Sequence, residues 1–280
     1  MITQKLTSNI GRFFVYLVLI VILIVTVVPI WLLLVNATRS TTEIQQGISF
    51  FPSGHLLDNY HILIGRGLNL WEGLRNSLFI AVCATFITVY FSMLTAYGIV
   101  VYDFPGKRFL YNFIILLVLI PMQLSIIGFY HYMSKLGLVD NYASLILPAA
   151  ASAASIFFSK QYLESVVVLE LIDAGRIDGA GELTIFHRIM MPIALPGAVT
   201  LGIFAFIASW NNFFNAFILI STRSKYTLPM VVATLRGDVY RTEYGSIYLG
   251  LAFTVVPIII IYVIFSRYIV SGIAMGSVKE

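Results

Sequence analysis

The chain is poor in charge. Only 11% of its 280 residues are Asp, Glu, Lys or Arg, against roughly 25% in a soluble domain. An ordinary soluble domain is excluded on that ground. Cysteine is nearly missing: Cys83 is the single one, so no disulfide framework exists, and a lone Cys in an apolar stretch behaves as a small hydrophobe. A phosphate-binding P-loop is missing as well. The one Gly-Lys pair, Gly106-Lys107, is followed by Arg108 and has no Gly five residues before it, so ATP is not hydrolysed by this chain. The four histidines, His55, His61, His131 and His187, stand apart without His-Glu-x-x-His spacing, which leaves a membrane-embedded metalloenzyme little to build on. The net charge of +4 is spread along the chain, so a nucleic-acid footprint is lacking.

What remains is apolar and unevenly placed. Six windows hold no Asp, Glu, Lys or Arg: residues 13–38, 76–102, 109–134, 141–159, 189–222 and 244–266. The other 125 residues carry all 17 basic and 13 acidic side chains, about the density of a normal protein surface. A helix needs roughly 20 apolar residues to cross the hydrocarbon core. The sequence therefore predicts an all-α membrane protein with six transmembrane helices. Barrel strands alternate apolar and polar residues, whereas residues 13–35 are continuously apolar; only helices satisfy such a backbone within lipid. That first run also exceeds the 7–15 residues of a signal-peptide core, and it reads as a retained span. The whole chain, 1–280, reads as a single transmembrane domain. Its spans fall at about 13–36, 76–101, 109–130, 142–160, 196–221 and 245–267, with a long connection at about 168–192.

An even span count places both termini on one side. Counting basic residues gives nine on the terminal side and eight on the other, which decides almost nothing under the positive-inside rule. The acid-free start with Lys5 and Arg12, and the tight Phe104-Pro105-Gly106-Lys107-Arg108 turn, favour cytoplasmic termini.

The connection between spans 4 and 5 carries the sharpest pattern. Leu171, Ile172, Ala174 and Gly175 fall at i, i+1, i+3 and i+4, a short amphipathic helix with a small-residue face. Gly179 and Gly181 are helix-ending residues; residues 183–189 form a second short helix before Pro192. Two readings stay open from amphipathicity: a helix packed on the protein's own ends, or one that docks a cytoplasmic partner.

Asp173-Ala174-Gly175, three residues, Gly179, nine residues, Ile189, one residue, Met191-Pro192 resembles the EAA loop of ABC importer permeases: Glu-Ala-Ala, three residues, Gly, nine residues, Ile, one residue, Leu-Pro. The spacing agrees throughout; Asp173, Gly175 and Met191 are mild departures. Ile120-Pro121-Met122-Gln123, Trp210-Asn211-Asn212-Phe213, Tyr226-Thr227-Leu228-Pro229 and the tail from Arg267 to Lys279 are similar to the carbohydrate branch, in particular to the shorter permease of maltose-type and multiple-sugar importers. The resemblance covers essentially the whole chain.

That resemblance implies the type I ABC importer fold and a sugar importer permease that is not itself an enzyme. The alternative it leaves is a permease of the same architecture for another solute. It further implies a location in a bacterial or archaeal cytoplasmic membrane. The implied partners are a second permease subunit in a pseudo-twofold heterodimer, two ATPase subunits that bind ATP and Mg, and an extracytoplasmic sugar-binding protein. No cofactor is expected in this chain. Asp173, Ala174, Gly175, Arg176, Asp178 and Gly179 would form the coupling helix. Gln123, Trp210, Asn211, Asn212 and Asn215 are pathway candidates, since amides in a membrane interior face a bundle or an aqueous cavity; hydrogen bonding between helices is the competing reading. Tyr226, Arg236, Asp238 and Tyr240 would meet the binding protein. Pro121, Pro148 and Pro257 lie within spans and tend to bend them. Deleting residues 235–241 is expected to reduce transport while leaving assembly intact; unchanged uptake would remove the role of that loop.

Overall fold

The computed structural model describes residues 2–65, 69–235 and 243–277. Arg236, Asp238 and Tyr240 lie outside the described residues. Among the described residues the regular structure is all helical: α1 (Ile2–Asn36), α2 (Thr41–Gln45), α3 (Leu56–Gly65), α4 (Leu70–Val101), α5 (Lys107–Val118), α6 (Ile126–Lys135), α7 (Ala143–Ile146), α8 (Ala153–Val166), α9 (Leu169–Ile177), α10 (Glu182–Ile185), α11 (Met191–Trp210), α12 (Phe213–Leu219), α13 (Leu228–Thr234) and α14 (Tyr244–Ser277).

Among the described residues, five helical stretches are long and apolar enough to cross a membrane: Gly11–Asn36, Leu70–Val101, Ala143–Val166, Glu182–Trp210 and Tyr244–Phe265. The expected continuous helix over 109–130 is not among them. It is α5, a break, a 3₁₀ turn at Met122–Ser125 that contains Gln123, and then α6. The cause is Pro121, which sits extended at φ −61° and ψ 122°. Proline has no N–H to donate and disfavours helix in the residue before it. The 12 residues of α5 rise about 18 Å, short of the roughly 30 Å core.

The expected boundaries of the fifth span shift too. Instead of a separate short helix followed by a span at 196–221, helix runs from α10 through a π turn at Phe186–Met190 into α11. Pro192 explains the π turn, because its missing N–H and its ring spoil the α ladder one turn upstream. The far end breaks at Asn211-Asn212, and α12 restarts at Phe213. Pro148 lies in the 3₁₀ turn Leu147–Ala151 between α7 and α8. Pro257, by contrast, is inside an unbroken α14.

The chain packs as two units: Met1–Leu70 with Val231–Val255, and Trp71–Met230 with Val256–Glu280. In the first, Asn59 is buried and donates to the carbonyls of Ala37 and Arg39 at 2.9 and 3.0 Å. Those carbonyls belong to the turn that directly follows α1. In the second, one core joins α4 (Met93, Ala96, Tyr97), α8 (Tyr162, Leu163), α9 (Ile172), Phe186, Met190 and α11 (Ala194, Ala198, Leu201). Its closest approach is Gly197, where an added Cβ would lie 2.3 Å from the Tyr162 ring. Gly197→Val should therefore force Tyr162 out of place. The expected loss is about 1–3 kcal/mol, the usual cost of overpacking, read as a lowered thermal midpoint of the purified protein; an unchanged midpoint would refute that contact.

Candidate functional site

The α9 helix starts where Val168 is extended and carries Glu170 in its first turn and Arg176 in its last. Both charges suit the helix dipole. Its end is a Schellman motif: Gly179 N–H donates to Arg176 O and Ala180 N–H donates to Gly175 O, each at 3.0 Å. Gly179 occupies the left-handed position at φ +80°, which a side chain disfavours. Its spacing in the sequence motif thus has a local backbone cause.

The apolar stripe expected from the sequence is split. Ile172 and Gly175 are buried, and Gly175 faces Ile185 and Ile189. Leu171, Ala174 and Ile177 run from the flank of that face round toward the far side of the helix and are exposed, Ile177 to 86%. Leu171 and Ile172 are neighbours in sequence but about 100° apart around a helix. Asp173, Arg176, Asp178 and Gly179 are exposed as well. One face of the segment thus packs inward, as the first of the two readings expects, and the rest of it is exposed.

Charge closes the segment. Arg176 Nη1 donates to Asp173 Oδ1 at 2.9 Å, and Arg176 Nε to Glu182 Oε1 at 2.8 Å. Tyr97 of α4 donates its hydroxyl proton to Glu182 Oε2 at 2.9 Å, and the Arg176 guanidinium lies 5.5 Å from the Tyr102 ring centre. Glu182 precedes the charge-free run of the fifth span. Arg176 above all, with both tyrosines, holds its carboxyl down at about 2. Arg176 is raised above its ordinary range, first by Glu182. With the carboxyl depressed in the fold, the contribution of this pair is complete above the ordinary carboxylate value and fades only as pH falls toward 2; neutral pH leaves it intact. Within the π turn, His187 Nδ1 lies 2.6 Å from Leu183 O, and its Nε2 is 3.3 Å from the Tyr90 hydroxyl.

The pathway candidates do not form one cluster. Asn211 ends α11, and Phe213 N–H donates to Asn211 O at 2.8 Å across the break. Trp210 is only 3% exposed and stacks on Phe206 with ring centres 5.7 Å apart. Trp210 and Asn212 line a cavity of about 10 Å³, together with Ser77, Ser209 and Thr227. That is room for one water, not for a sugar ring. Asn215 lies half-buried in α12 and is not among the cavity's lining residues; the side chain of Gln123 lies outside the described ones.

Tyr226, expected on a contact loop, belongs to a fixed turn. Asn76 Nδ2 donates to Ser224 O and Tyr226 O at 2.8 and 3.0 Å. Asp140 accepts from the N–H groups of Ser221 and Thr222, from the Thr222 hydroxyl, and from Lys225 Nζ at 2.9 Å. Those bonds, led by Thr222, hold its carboxyl well below the usual range. Sequence reading missed Glu182, Tyr97 and Asp140. Glu182 at least stands directly after the helix-starting Gly181, whereas no local signal marks the other two. Asp140→Ala is expected to free this turn, seen as several-fold faster trypsin cleavage after Arg223 and Lys225; an unchanged rate would mean the turn holds without Asp140.

Residues 88–275 match the family described as the binding-protein-dependent transport system inner membrane component. The chain is 33% identical over 258 residues to the arabinooligosaccharides transport system permease protein AraQ of Halalkalibacterium halodurans, covering 91% of this chain and 92% of that protein. It is 30% identical to the AraQ protein of Bacillus subtilis, covering 90% of each. Its fold matches a chain in the crystal structure of a bacterial ABC transporter involved in the import of the acidic polysaccharide alginate. There the TM-score is 0.82 at 22% identity, with 94% of this chain and 97% of that one covered. The chain belongs to the family of binding-protein-dependent transport system inner membrane components, membrane permeases rather than enzymes.

Proposed function

We propose that this chain is one of two permease subunits of an ATP-driven oligosaccharide importer, and that α9 docks it to an ATPase subunit. The observation that carries the reading is the split of α9: Leu171, Ala174 and Ile177 face outward, while Ile172 and Gly175 are held in the core. The outward residues would enter a cleft on the ATPase, with Asp173 and Asp178 at its rim. Arg176 and Glu182 act from behind, as positioning residues that tie the docked helix to Tyr97. The arabinooligosaccharide relatives support an oligosaccharide cargo. The partners are a second, different permease subunit, two ATPases that bind ATP and Mg, and an external sugar-binding protein. Both termini lie in the cytoplasm. The third crossing is made by α5 and α6 together, around the break at Pro121, which brings the crossings to six.

The test uses the assembled complex with its binding protein and a panel of oligosaccharides. One sugar class should stimulate ATP hydrolysis and be taken up; stimulation by a non-sugar solute alone would overturn the cargo. Ile177→Asp is expected to weaken retention of the ATPase subunits roughly tenfold or more, because burying an isoleucine contributes about 1.5–3 kcal/mol. Glu182→Gln and Tyr97→Phe should instead keep retention and lower the binding-protein-dependent stimulation of ATPase. If Ile177→Asp left retention intact, α9 would not be the docking element. If the other two left stimulation intact, Glu182 would be merely structural.

A further inference from the structure

Between α2 and α3 the chain runs through residues 44–54 without a charged side chain. Four hydrogen bonds tie it to the last turns of α1 and the residues just after them, and the Ser53 hydroxyl donates to Glu43 Oε1 of α2 at 3.0 Å. Arg39 Nη1 donates to Gly47 O at 3.0 Å. Ser53 N–H donates to Thr38 Oγ1 at 2.9 Å, and His55 N–H donates to Thr38 O at 2.9 Å. Between those two feet the tip is pinned lower down: Trp31 Nε1 donates to Phe50 O at 3.0 Å. Ser49 Oγ accepts from Phe51 N–H and closes the tip on itself. The loop therefore descends along α1 from Arg39 to Trp31 and climbs back to Thr38. Trp31 lies five residues before the helix end at Asn36, so the tip reaches about 7.5 Å back along the axis.

The side chains at that tip face away from the protein. Ile48 and Phe51 are each 80% exposed, Phe50 51% and Trp31 47%. A loop fixed by hydrogen bonds at both feet and at its tip, yet holding large apolar groups outward, is built to meet an apolar medium. Interfacial segments enter the boundary between headgroups and acyl chains by about 5–10 Å, a depth that the large side chains of such a tip can span. Tryptophan and phenylalanine are the residues that settle there, and the indole N–H is already satisfied by Phe50 O. Alongside, α1 is itself a single apolar helix with exposed side chains from Phe13 to Val25, so the loop continues a membrane-facing surface.

We infer that residues 48–51 form a membrane anchor, which turns back along α1 and seats Ile48, Phe50 and Phe51 in the lipid interface at the Asn36 end of that helix. The anchor fixes the depth of α1 and the position of the segment that follows it. It is independent of the solute and of the ATPase, so it stands or falls apart from the transport reading.

The test places a spin label at Phe51→Cys, in a Cys83→Ser background with the other subunits free of cysteine, in the assembled complex in lipid nanodiscs. Collision with oxygen, which partitions into lipid, is compared with collision with a water-soluble nickel chelate. High oxygen and several-fold suppressed nickel accessibility are expected. High nickel accessibility would place the loop in water. Low accessibility to both would place it against another subunit. Either result overturns the anchor. Should Phe51→Cys not assemble, Ile48→Cys carries the same measurement with the same three outcomes.

Discussion

A backbone in lipid has to satisfy its own N–H and C=O groups, and this requirement governs where the chain can afford to break. Among the described residues, breaks in the apolar windows are repaired locally at three places. After Pro121, Leu124 N–H donates to the Pro121 carbonyl. At Asn211, the N–H groups of Asn211, Asn212 and Phe213 return to Ile207 O, Ser209 O and Asn211 O. At Pro192 the ladder widens into a π turn instead of opening. Proline positions therefore do not all act alike. Pro121 ends a helix, whereas Pro29, Pro196 and Pro257 are carried inside continuous helices. Thr200, one turn after Pro196, adds a second bond to the Pro196 carbonyl by donating its hydroxyl at 2.9 Å.

The same logic extends to the turn between α9 and α10, where charge does the repairing. Arg176 and Glu182 are six residues apart, on either side of a turn that Gly179 makes possible. Their bond closes the turn, and Tyr97 attaches it to α4. Each contact is half-exposed and individually weak, as surface ion pairs are. Their value is geometric, because one carboxylate holds two partners from separate parts of the chain in fixed directions. Exposed pairs of this kind are screened by salt, so the rigidity of the turn rests on Ile172 and Gly175 in the core as much as on charge.

Much of this was legible in the sequence, and the exceptions share one physical origin. Continuous apolar windows marked the crossing segments, and Gly179 marked the end of α9, since both are local properties. Periodicity placed an amphipathic helix at 171–177 but could not say which of Leu171 and Ile172 turns inward; the neighbouring helices decide that. Pro121 was visible as a bend, yet the window around it read as one span because hydropathy does not report hydrogen bonding. Asp140 and Tyr97 were invisible. Their partners, Thr222 and Glu182, lie 82 and 85 residues away, and a single sequence carries no record of such pairs. Trp210 and the Asn211-Asn212 pair were visible as unusual polar content in an apolar run. The structure gives that content a backbone role, ending α11, and leaves at their side a cavity fit for one water.

A lever needs a joint that resists both compression and shear, and α9 is mounted in that way. The contact of Ile172 with the core of α4, α8 and α11 resists a push along its normal, because close-packed interiors are poorly compressible. Packing resists sliding far less, since apolar contacts have no preferred direction. Hydrogen bonds supply direction, and here Arg176, Glu182 and Tyr97 run from α9 across the turn to α4. A helix held by packing alone would roll when pushed from the side; one held by the ion pair alone would sink into the protein. With both, a displacement of the outward face at Leu171, Ala174 and Ile177 is carried into α4 and α11 together. Both helices belong to stretches long and apolar enough to cross a membrane, so the mounting ties the exposed face of α9 to two of them at once.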